Sequence, residues 1–150
     1  MRRHAAVTRS FFVAVSVGLF AGCHEVTGPV PAGTMFVLVS VGGDPLPTTL
    51  DTGPDGTVAI ADTVIFVEEH GSTGSVEHHE TGQNQVGTFH SVFVRLYEWN
   101  NGVLTFHPPP CPPAALCVRF VPETGHLGPE TLTITYEDPL VRNRTYHRIS

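Results

Sequence analysis

The chain has 150 residues, and its 14 acidic side chains outnumber 8 basic ones, giving a formal charge of −6. An acid excess of this size excludes charge-driven binding to nucleic acid or anionic lipid. The 15 glycines and 13 prolines argue against a helical protein and for short strands joined by turns.

Arg2, Arg3 and Arg9 open the chain, and no acid precedes Glu25. Phe11 to Ala21 are apolar or small, a run of 11 residues. A membrane-spanning helix needs about 20. A positive start, a short apolar middle and a small-residue exit describe a secretory signal peptide. Its exit, Phe20-Ala21-Gly22-Cys23, resembles the lipobox of bacterial lipoproteins, with Phe20 where that family prefers Leu. The resemblance implies cleavage before Cys23, a diacylglyceryl group on its thiol, and often acylation of the new amino group. Each buried methylene of such an anchor contributes about 0.8 kcal/mol, so two or three long chains hold a protein at a membrane. His24 stands where an Asp retains members of the family at the inner membrane, which implies the outer membrane, facing the periplasm or the exterior. Residues 1–22 are thus expected to be a lipoprotein signal peptide, 23–33 a tether and 34–150 one β domain. After cleavage, five arginines oppose fourteen acids, a formal charge of −9. With Cys23 lipidated, the other two cysteines, Cys111 and Cys117, are left to form a disulfide in an oxidising compartment.

In the tether, HEVTGPVPAG (24–33), Pro29, Pro31 and two glycines prevent regular structure. Beyond it the hydropathy has a period of two. TMFVLVSV (34–41) is a strand apolar on both faces, and GGDPLP turns the chain. DGT supplies a turn before a second strand, TVIFVEE (63–69), and STGSVEHHE (72–80) reads as a strand or a polar loop. In VGTFHSVFVRLYEW (86–99), Val92, Val94 and Leu96 share one face and Ser91, Phe93, Arg95 and Tyr97 the other. NNG (100–102) predicts a hairpin, because Asn and Gly accept positive φ. VLTFH (103–107) puts Leu104 and Phe106 together, and CVRFV (117–121) does the same for Val118 and Phe120. ETLTITYE (130–137) turns Leu132, Ile134 and Tyr136 inward and Thr131, Thr133 and Thr135 outward, and RTYHRI (144–149) closes the chain. No stretch offers three helical turns of one-sided apolar spacing free of Gly and Pro. The fold class is therefore all-β: a small antiparallel up-and-down barrel of seven to eight strands, with a β-sandwich as second choice.

FVLVSVGGDPLP, followed by alternating strands and Gly87-Thr88-Phe89, resembles the opening of small bacterial lipoproteins similar to lipocalin-like β-barrel domains. Gly42 stands where those proteins usually carry Asn. The likeness implies a fold and an envelope location and carries no catalytic residues.

Candidate chemistry is sparse. In HPPPCPPAALCVRF (107–120), the expected Cys111–Cys117 bridge joins neighbouring strands and would contribute roughly 2 kcal/mol in the chain-entropy account, as a staple or as a rigid knuckle for a partner. A redox role usually takes Cys-x-x-Cys at a helix start, which is not this spacing. VEHHE (76–80) gathers Glu77, His78, His79 and Glu80, with His70 shortly before. Successive strand residues face opposite ways, so only His78 with Glu80, or Glu77 with His79, can share a Zn²⁺ or Cu²⁺. A solvated loop or edge is the plainer expectation there. His90 and His107 lie on strand patterns, where partly exposed histidines are ordinary. Arg95 and Arg119 sit mid-strand, expected on the wet face beside Glu neighbours, or else inside a barrel holding an anion. Phe36, Phe66, Phe89, Phe93, Phe106, Phe120, Tyr97, Trp99 and Tyr136 are expected to be core, or to line a cavity for one small apolar ligand. There is no Gly-x-Ser-x-Gly elbow and no phosphate-binding glycine loop. The sequence thus predicts a lipid-anchored envelope protein with a binding or structural role, no catalysis and no cofactor. A membrane contact through the anchor is expected, with a protein partner or a small apolar ligand. Weak transition-metal binding through His78-His79-Glu80 is the alternative from another class.

Overall fold

The computed structural model describes residues 28–51, 56–108, 110–111 and 122–149, and every regular element among them is a strand. In chain order these are β1 (Met35–Val41), β2 (Asp44–Pro45), β3 (Thr48–Thr49), β4 (Val58–His70), β5 (Thr73–Asn84), β6 (Gly87–Asn100), β7 (Val103–His107), β8 (Glu123–Leu127), β9 (Thr131–Tyr136) and β10 (Arg144–Arg148). From β4 to β10 each strand pairs antiparallel with the next, β10 pairs with β1, and β1 pairs with β4. The result is a closed up-and-down barrel of eight strands, and closure leaves its wall without free edges. The two-residue strands β2 and β3 lie in the β1–β4 connection, against β1 and β4 respectively.

The two ends of the barrel differ. The chain enters at one end, where Gly33 N–H donates to Phe66 O (2.7 Å) and Val30 is buried. The short turns after β4, β6 and β8 share this end. At the β6–β7 turn Asn101 (φ 48°) and Gly102 (φ 81°) both adopt positive φ, as a type I′ hairpin requires. The longer connections β1–β4, β7–β8 and β9–β10 gather at the opposite, loop end. There Arg142 ties two of them together. Its guanidinium donates to Thr48 Oγ1 (3.2 Å), Thr49 O (3.1 Å) and Asp44. A Cβ on Gly42 (φ 58°) would meet that guanidinium at 2.7 Å, so glycine serves both the turn and the latch.

Large side chains fill the entry half of the interior. Phe36, Phe66, Tyr97, Leu104, Phe106, Leu132, Ile134 and Tyr146 are all buried. Phe66 packs edge-on between Phe36 and Tyr97, with ring centroids 5.9 and 5.4 Å away. Such pairs add roughly 0.5–1.5 kcal/mol each beyond area burial.

The period of two places most strands, and four points add to it. First, β1 and β4 carry bulges at Val39, Ile60 and Val67. Each adds a residue to its strand, and these three aliphatics emerge on the outer wall, 40%, 39% and 45% exposed. Second, the stretch 72–80 takes its strand alternative and not the loop or edge: Ser72 lies in the turn, and 73–80 lie within β5, paired on both sides by β4 and β6. Third, CVRFV (117–121) lies outside the described residues, and the strand observed near it is β8. Gly125 and His126 hide β8 from a hydropathy reading. Gly125 takes an inward position where a Cβ would meet the Phe106 ring at 2.9 Å and Leu104 Cβ at 3.1 Å. Fourth, β6 turns its mixed row, Ser91, Phe93, Arg95 and Tyr97, toward the interior and its aliphatic row outward. Val92, Val94 and Leu96 are exposed as a consequence.

Candidate functional site

Toward the loop end the barrel interior changes from apolar to ionic. Asp62 is the residue around which this happens. The bulge at Ile60 sets its direction in β4, and it is fully buried. Its Oδ2 accepts from Tyr146 Oη (2.7 Å), Arg144 Nη1 (3.2 Å) and His78 Nδ1 (3.4 Å). Arg144 and Tyr146 are two apart on β10 and so share the inward face. Glu80 lies directly opposite Asp62 on β5, with Oε1 3.2 Å from Arg144 Nη1.

A second pair adjoins the first. His78 stacks on Phe93, its cross-strand neighbour, at 4.8 Å and 8°. The Arg95 guanidinium lies 5.0 Å from the same ring and donates to Glu123 Oε1 at 3.0 Å. The Arg144 guanidinium sits 5.7 Å from the Tyr136 ring. Six strands, β4, β5, β6, β8, β9 and β10, therefore each place a charged or ionisable side chain in one cluster.

The environment shifts these groups in distinct directions. Burial alone would raise the Asp62 carboxyl. The hydrogen bond and charge of His78, the Tyr146 hydroxyl and the Arg144 charge outweigh it, and Asp62 ionises below the ordinary carboxylate range. Glu123 goes the other way: burial raises it, and the charge of Arg95 does not fully compensate. Burial and the Asp62 charge raise the Tyr146 phenol, so at neutral pH it remains a donor to Asp62.

Arg95 is thus inside the barrel and not on its wet face, because Glu123, from a strand that hydropathy did not reveal, meets it there. Of the weak metal candidates, His78 is buried and shares the interior with Glu80, whereas His79 faces out and contacts Glu77 at 3.1 Å. His78 faces Asp62 and Glu80 faces Arg144, and no group of three or more His, Cys, Asp or Glu among the described residues is arranged to hold a metal ion. His90 and Thr81 pair on the outer wall at 2.9 Å. Cys23, Cys117 and Arg119 lie outside the described residues, so the lipid anchor and the partner of Cys111 remain expectations. The sequence reading missed Asp62, Glu123, Arg144 and Tyr146. One signal was present: Asp62 is the sole charge in VAIADTVIFV, the first ten residues of β4.

The outer wall offers the other feature. The exposed row Val92, Val94 and Leu96 ends beside a groove of about 400 Å³ lined by Leu96, Tyr97, Glu98, His107, Glu68 and His70. Compared with models of known protein families, with curated proteins and with solved structures, the chain matches none.

Proposed function

We propose that this chain is an exported bacterial lipoprotein, anchored through Cys23, whose lipocalin-like barrel acts by binding a protein partner and not by catalysis. The observation that carries this reading is the occupied interior. Phe36, Phe66, Tyr97, Phe106 and Tyr146 are buried at its centre, and the ion cluster lies beyond them toward the loop end. A barrel of eight strands is just wide enough to be filled by side chains or to hold one small ligand, and here side chains take that space. Recognition then falls to the outer wall. The aliphatic row of β6 and the groove beside Leu96 lie together there, and aliphatic side chains in such a row favour contact with another surface. The anchor, reached through the tether, would hold the entry end toward the membrane and present the loop end away from it.

The test is a photo-crosslinking residue placed in cells at Val94, with a control at His126 on the exposed face of β8. The proposal expects a protein adduct at Val94 and none at His126. Equal labelling at both positions, or labelling at Val94 by lipid alone, would overturn it.

A further inference from the structure

The chain enters the barrel away from its axis. Gly33 N–H donates to Phe66 O (2.7 Å) and Phe66 N–H donates to Thr34 O (3.0 Å), so the incoming segment lies along β4 and passes straight into β1. Thr34 N–H donates to Pro31 O at 3.2 Å and Val30 is buried, which holds residues 30–34 against the barrel. The tether therefore leaves from the seam between β1 and β4. Residues 24–27 separate Cys23 from Gly28. Fully extended, that link reaches at most about 18 Å. A lipid on Cys23 would keep this seam, and not the centre of the barrel end, close to the bilayer.

Among the described residues, the outer face at that seam is uncharged. Phe36 and Leu38 point inward on β1, so Met35 and Val37 point outward. Across the seam Met35 faces Ile65 and Val37 faces Thr63. The bulge in β4 adds Val67 beside the incoming chain. On the other side Ile149, whose N–H donates to Met35 O at 2.9 Å, extends the face past β10. Val67 and Ile149 are 45% and 60% exposed. The neighbouring outward ionisable groups flank this face: Glu68 beside Val67, Glu77 and His79 on β5, and His147 on β10. Aliphatic side chains held in water at the point nearest a bilayer gain by resting against it.

We propose that the β1–β4 face rests on the phospholipid surface and tilts the barrel onto that side, entry end lowest. Lipid is the occupant because the tether ends at this seam and its short reach makes the seam the part of the barrel nearest the bilayer. Charge attraction plays no part, since the chain is acidic and the face uncharged. The inference rests on the anchor at Cys23 proposed above. It leaves the β6 row, three strands round the wall from β1, to a protein partner.

The experiment places the processed, isotope-labelled chain in phosphatidylcholine nanodiscs doped with a gadolinium-chelating lipid and measures amide relaxation residue by residue. The β7–β8 seam lies opposite in the ring of eight strands, so Thr105 and His126 are the controls. The amides of Val37 and Ile65 should relax several-fold faster than theirs. Val67→Glu with Ile149→Glu, both at exposed positions, should keep the dispersion of the spectrum and remove the difference. Equal relaxation on the two seams of wild type would overturn the inference, as would a difference that persists in the variant. In cells, a photo-crosslinking residue at Ile149 should yield a phospholipid adduct. An adduct with another protein or with a second copy of this chain would also overturn it. The mass of the processed chain separates the two failures. An acylated Cys23 with equal relaxation sinks this inference alone, and an unmodified Cys23 sinks the anchor with it.

Discussion

Asp62→Asn tests most directly whether the ionic cluster is part of what holds the barrel together. The substitution keeps the size of the side chain and one acceptor oxygen, and removes the charge. Tyr146, Arg144 and His78 all donate to Oδ2, at 2.7, 3.2 and 3.4 Å. Arg144 keeps Glu80 at 3.2 Å, so its charge is not wholly abandoned. Breaking a buried ion pair by removing one partner costs about 3–5 kcal/mol. The retained oxygen and the second carboxylate place this case at the lower edge, about 3 kcal/mol. That is a large share of the roughly 5–15 kcal/mol a domain of this kind possesses. Urea unfolding followed by circular dichroism and Trp99 fluorescence would register it as a lowered midpoint at unchanged slope. A loss below about 1 kcal/mol would refute the reasoning, since it would mean that the cluster's desolvation cancels its attractions. Tyr146→Phe, which deletes the shortest of the three contacts, should cost about 1.5–3 kcal/mol by the same assay. The two effects should not add, because they act on one oxygen.

Other outcomes follow from the packing. Gly74→Ala places a Cβ 2.2 Å from Glu68 O and 2.5 Å from Tyr97 Oη, so either strand β4 or that ring must move. The expected loss is about 1–3 kcal/mol, and a neutral result in thermal melts would contradict the close approach. Phe66→Ala opens a void between Phe36 and Tyr97 and should cost about 3–5 kcal/mol in urea unfolding. Asp62 ionises below its unfolded value, so its stabilisation is present above about pH 3.9 and is lost as pH falls through the folded value. Wild type should therefore lose more stability than Asp62→Asn between pH 5 and pH 2, and parallel curves would contradict this. Val92→Thr, on the exposed row, should change unfolding by no more than about 0.5 kcal/mol while reducing the adduct formed from position 94.

The parts of the fold legible in the sequence are those where one rule acts alone. Alternation marks β1, β6, β7, β9 and β10, and Asn101-Gly102 marks its hairpin because the turn demands positive φ at both residues. The direction of a row is harder to read. In β6 the aliphatic residues face out because the interior at that level is ionic, and Phe93 and Arg95 are needed there to meet His78 and Glu123. β5 resembles a loop because His78 and Glu80 would be too polar for a core without Asp62 and Arg144 to receive them. Those partners are 16 and 64 positions away in the chain. β8 is hidden by Gly125, which replaces the large inward residue that alternation looks for. The cluster is thus a property of closure: no local window contains two of its ion pairs, and only Asp62, the lone charge in residues 58–67, announces it.

Native mass spectrometry of the chain released from its own membranes tests the account most directly. It should show residues 23–150 carrying acyl chains and no retained small molecule. An unprocessed chain of 150 residues with an unmodified Cys23, or a stoichiometric apolar ligand inside the barrel, would contradict it.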